Sequence, residues 1–152
     1  MLRFDVPPVW SNVARLEAFI TFALCAIAVA TGTPWLLAIA AVQGLVRGFL
    51  GHVRDPLHRA WGRLLAARGW QGRKENAGAK MFANKILFFV SVAAIVIAAF
   101  GSTGWRIPAI VLGTFATLEW AFSFCAACWA YAAWYRVFPP LDEGQTRGGG
   151  KP

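Results

Sequence analysis

Charge is scarce in this chain. Only 14% of its 152 residues are charged, against about a quarter in an ordinary soluble domain. Whole stretches carry none: Ala18 to Val46 and Ile86 to Trp105 are uncharged, and Ile107 to Tyr135 holds a single formal charge, Glu119. Too few polar residues remain outside these runs to build a large water-soluble domain. The sequence also lacks GxxxxGK[ST], GxGxxG and HExxH, which removes the phosphate-loop, dinucleotide and zinc-protease readings. A cleavable signal peptide is not expected either. Asp5, Pro7, Pro8, Arg15 and Glu17 interrupt the place where its apolar core would begin, so the first apolar helix reads as permanent.

What is present is apolar: 58% of the residues are hydrophobic. A membrane-crossing helix needs roughly 20 mostly apolar residues. The first run exceeds one crossing, and TGTPW at Thr31 to Trp35 breaks it into two antiparallel helices. The fold class is therefore all-α, a polytopic membrane protein with four transmembrane helices in two hairpins plus a short interfacial helix. The spans fall at about 13–31, 33–50, 83–100 and 107–135, with a loop at 51–82. Residues 1–140 form the transmembrane domain. The polar, glycine-rich stretch 141–152 reads as a disordered tail.

Nine basic residues lie between Arg47 and Lys85, against Asp55 and Glu75 alone. The first hairpin turn has no charge and the second only Arg106. The positive-inside rule then puts the loop and both termini on the cytoplasmic side of the membrane. The net charge of +8 marks orientation and contact of the central loop with anionic headgroups of the bilayer, not nucleic-acid binding. Within the loop, Asp55-Pro56 is a helix start, and Leu57, Trp61, Leu64 and Leu65 recur on one side against Arg59, Arg63 and Arg68. This suits a short helix lying in the interface. Ser11 or Asn12 is expected to cap the first span. The hairpins align weakly when the chain is slid by 72 residues, placing Arg47 over Glu119. That would make a parallel repeat about the membrane normal.

Charged groups inside spans face protein, water or a partner. With the first turn near Gly32, Glu17 and Arg47 sit at equal depth and are expected to pair. Glu119 has no basic residue near it in its own helix, and Phe89 is expected opposite. Arg47, the hydroxyls of Thr114 and Thr117, or water remain as its partners. His52, Arg54, Asp55 and His58 form a polar elbow in which Asp55 caps the interfacial helix. Pro56 argues against one continuous helix presenting both histidines, so no metal is assigned there.

Three cysteines occur. Cys25, on the first span, reads as packing. Cys125 and Cys128 form a CxxC in the last span, FSFCAACWAY, in its cytoplasmic half. On a regular helix such a pair reaches disulfide distance only with local distortion. Lys85 should lie at a comparable level and favour a thiolate. Thiol redox chemistry, metal binding by the pair, and close packing in an alanine-rich helix all remain open. Metal at Cys125 and Cys128 is the least favoured, and no cofactor is predicted.

With FSFCAACWAY, GLVRGFLGHVRDPLHR from Gly44 and KENAGAKMFANK from Lys74, residues 3 to 138 resemble a family of small bacterial integral membrane proteins of unassigned function. These have four apolar helices and a Cys-x-x-Cys in the last. Relatives beside or joined to thioredoxin-like or sulfurtransferase domains imply, by association, thiol or sulfur chemistry with a cytoplasmic partner of that kind. A noncatalytic scaffold, and a small transporter or channel subunit acting as a homo-oligomer, are the alternatives.

Overall fold

The computed structural model describes residues 9–75, 77–125, 129–130, 133 and 136–137. The leader to residue 8, Cys128, most of the expected span beyond Cys125 and the tail at 141–152 lie outside the described residues. The described chain is all-α apart from one two-residue ladder. Its helices are α1 (Ser11–Thr31), α2 (Leu37–Leu45), α3 (Pro56–Ala67), α4 (Ala77–Ala99) and α5 (Arg106–Phe122). A wider, π-type turn at Val46–Leu50 extends α2. α1 and α4 are long and apolar enough to cross a membrane; Pro34–Leu50 is a shorter apolar helical run.

α1 packs chiefly on α5, and α2 on α4, so each helix of the first hairpin finds its main partner in the second. Both hairpins turn alike, through a glycine in the left-handed conformation (Gly32, Gly101) and a three-residue 3-10 turn (Pro34–Leu36, Thr103–Trp105). These turns are 69 residues apart, not 72, and that register sets Arg47 over Ala116 instead of Glu119.

Alanine is the commonest residue of the interior, beside larger buried residues such as Leu37, Val13 and Trp105. Ala28, Ala40, Ala94 and Ala109 are fully buried, while Ile27, Trp35, Phe89, Phe100 and Ile107 face outward. α1 buries Val13, Ala14, Glu17, Ala18, Thr21, Cys25 and Ala28, a stripe with helical period. Free Cys25 packs within it, close to Gly113 of α5. α2 meets α4 backbone to backbone. A Cβ on Gly44 would lie 2.7 Å from the Phe88 backbone nitrogen and 2.8 Å from the Asn84 carbonyl oxygen, and one on Gly48 would lie 3.0 Å from the Lys85 nitrogen. Glycine at both positions lets the two backbones meet.

α3 begins as expected: Pro56 is its first residue, and the Asp55 carboxylate accepts from the Leu57 amide at 2.9 Å. None of its residues is fully buried. The chain then returns to the start of α1, where Val9 pairs with Glu75 and Trp10 with Lys74 in an antiparallel ladder. Neither Ser11 nor Asn12 caps α1. Ser11 Oγ accepts from the Arg73 amide at 2.9 Å, and the Asn12 amide group donates to the Trp70 carbonyl at 2.9 Å, so both staple the loop.

Candidate functional site

All four carboxylates among the described residues converge on two cations. Arg47 is 1% exposed and sits on the π-type turn, a feature often found at functional sites. Its Nη1 lies 3.5 Å from Glu17 Oε2, the partner expected from equal depth, and its Nε donates to Asp55 Oδ2. Lys80 donates to Glu119 Oε1 and lies 2.9 Å from Glu75 Oε2. Each cation therefore bridges two acids, and each group keeps one negative charge in excess.

Lys80 is the partner that charge counting missed. The third span was expected to begin near residue 83, which left Lys80 in the loop. α4 begins at Ala77 instead, so Lys80 lies inside the helix and turns toward α5. The ladder holds Glu75 within reach of it. The hydroxyls of Thr114 and Thr117, considered as partners for Glu119, donate to the carbonyls of Ile110 and Gly113 in their own helix. Lys85 places its ammonium over the Phe49 ring, 5.4 Å from the centroid; Cys128, the other residue of its expected setting, lies outside the described residues.

The polar elbow closes on the same cluster. His58 Nδ1 lies 2.8 Å from Glu17 Oε1, and the His52 and His58 rings are 5.2 Å apart. Pro56 keeps the two histidines off any one helix, yet they approach across a bend: His52 opens a 3-10 turn and His58 occupies the first turn of α3. Arg54 is exposed. Burial, with Arg47 and His58 adding to it, pushes His52 down to about 4 despite the opposing pull of Glu17 and Asp55. For Asp55, burial pushes upward, but the Arg47 hydrogen bond and charge and the amides of Leu57 and His58 outweigh it and hold the carboxyl below its usual range.

Between α1, α4, α5 and the elbow lies a cavity of about 350 Å³. Glu17, Arg47, His52, Lys80, Glu119 and Cys125 all contribute to its wall. Cys125 reaches it because α5 stops early. Ser123 adopts φ 56°, its amide donates to the Glu119 carbonyl at 3.0 Å, and the Phe124 amide donates to Leu118 at 3.2 Å. This is a Schellman-type ending with serine where glycine is usual. The span expected at 107–135 is therefore not one continuous helix: Ser123, Phe124 and Cys125 are non-helical. Nothing in the sequence marks the stop, since neither glycine nor proline stands at it. Cys125 is half-buried and disulfide-bonded, and its carbonyl accepts from the Trp129 amide at 3.0 Å. Arg15 of α1 donates to the Trp120 carbonyl at 3.1 Å, near this end of α5.

A family model described as Domain of unknown function (DUF4395) matches residues 9–136, and the chain belongs to that family. No curated protein matches the chain, and no solved structure does.

Proposed function

We propose that this family member is a multi-pass membrane protein performing thiol–disulfide or sulfur-transfer chemistry at Cys125 and Cys128 with a thiol protein on the cytoplasmic side. The observation that carries the reading is that Cys125 shares one small cavity with the Lys80–Glu119 ion pair. The bilayer part is supported by the distribution of side chains. Alanines predominate in the interior and large apolar residues point out, as packing between helices in lipid favours. α3, with Arg59, Arg63 and Arg68 exposed, fits the cytoplasmic headgroup layer.

In the exchange, a thiolate of the partner attacks one sulfur of a Cys125–Cys128 disulfide, giving a mixed disulfide and releasing the other cysteine as a thiolate. The partner's second thiol then attacks the mixed disulfide. The partner leaves as a disulfide, and two electrons and two protons remain on the cysteine pair. Lys80 and Glu119, which line the same cavity as Cys125, supply a donor and an acceptor for those protons.

Alkylation of the reduced protein in intact membranes tests this. Cys125 is expected to react at least about tenfold faster than buried Cys25, following thiolate character and access. Cys128→Ser should trap a mixed disulfide on Cys125. If both positions are as inert as Cys25 and alanine at both leaves growth unchanged, the cysteines are packing residues and the scaffold reading replaces this one.

A further inference from the structure

His52 is the least explained group in the fold. It is 3% exposed, it lines the cavity, and neither ring nitrogen has a hydrogen-bond partner. Burying a polar group without a partner is unfavourable, so a ring held this way with both nitrogens idle calls for a ligand. Two other donors stand beside it. Ligand atoms of Glu17, His52 and His58 all lie within 4.8 Å of one another.

We infer that Glu17, His52 and His58 form a binding site for one divalent first-row transition-metal ion, with Zn²⁺ as the reference species. Two imidazoles and a carboxylate are a borderline-soft donor set suited to such ions. Metal–ligand bonds of 2.0–2.1 Å in a tetrahedron put neighbouring donors roughly 3.4 Å apart. Side-chain rotation therefore has to close the widest gap by only about 1.4 Å, while His58 Nδ1 exchanges its hydrogen bond to Glu17 for the metal.

Charge decides between a cation and an anion. Arg47 and Lys80 face Glu17, Asp55, Glu75 and Glu119, so the two groups together carry two negative charges in excess. A divalent cation balances that excess; an anion deepens it. The surroundings also brace the donors. Arg47 ties Glu17 to Asp55, and Asp55 caps the helix that carries His58. Outer partners of this kind hold ligands in place and commonly alter affinity by about 10–100-fold. The site uses no cysteine and does not rest on the thiol reading.

Full-length protein, purified in detergent and treated with a chelator, should take up one equivalent of Zn²⁺ by calorimetry and elemental analysis. A variant with serine at all three cysteines should keep that uptake. His52→Phe preserves the ring's bulk at a position with no hydrogen bond to lose, and should weaken Zn²⁺ by at least about tenfold. In the unsubstituted protein, Co²⁺ should give visible d–d bands without thiolate charge transfer, a readout that needs no variant to fold. The inference is overturned by no stoichiometric uptake, by a thiolate–cobalt spectrum, by loss of uptake in the cysteine-free protein, or by unchanged affinity in folded His52→Phe.

Discussion

Arg47 shows how much can depend on one buried side chain. It is nearly inaccessible and holds two buried carboxylates. Removing one partner of a buried pair typically costs about 3–5 kcal/mol. Asp55 gives this a pH signature. Its carboxyl is held below its usual range in the fold, so the unfolded chain takes up the proton first as pH falls. The stabilisation is full above the ordinary carboxylate value of about 3.9 and is lost on descending through the folded-state value. Thermal melts followed by tryptophan fluorescence should therefore drop on the acid side below about pH 4. Asp55→Asn should be less stable at neutral pH and should lack this part of the drop; an unchanged acid limb would mean other groups control it.

At the scale of elements, the contact between α2 and α4 is the most demanding. The atoms that crowd a Cβ at Gly44 are backbone atoms, so no rotamer change can relieve them. Gly44→Val should destabilise by about 1–3 kcal/mol or more, as overpacking does. Gly62, in α3, has nothing within 4 Å of such a Cβ. There Gly62→Ala should be neutral or stabilise by roughly 0.5–1 kcal/mol through helix propensity. Thermal melts of the two variants side by side check the pair, and equal effects would count against the close approach. Much of this scale was legible beforehand. Apolar run length located the helices, TGTPW the first turn, and Asp55-Pro56 the start of α3. Two boundaries were not. Local residue chemistry gives no reason for α4 to begin six residues early or for α5 to stop at Phe122; both follow from tertiary partners. Those two shifts put Lys80 on Glu119 and Cys125 on the cavity, so the composition of the site was the part least available from spacing. Glu17 with Arg47 was readable because both lie in one hairpin, where depth alone pairs residues.

For the whole molecule, charge and apolar surface are segregated. The described acids are all held by Arg47 and Lys80, while Arg54, Arg59, Arg63 and Arg68 stand exposed along the elbow and α3. That excess predicts orientation. Gly69→Cys and Ser102→Cys, each in otherwise cysteine-free protein, should label from opposite sides in intact cells, with the Ser102 position reached by an impermeant reagent from outside. Labelling of the Gly69 position only from outside would reverse the topology.

The exchange of partners between hairpins also has a consequence in time. A ribosome delivers α1 and α2 first, yet α1 packs chiefly on α5 and α2 on α4. While the middle of the chain is still being translated, the α1 face bearing Cys25 and Ala28 has no α5 to cover it. The clasp of Glu17, Arg47 and Asp55 lies wholly within residues already made, so it can close early and hold the nascent hairpin together. Lys80 must wait for Glu119, and the cavity wall for Cys125, so the chamber is completed only by the late-arriving stretch that brings its sulfur.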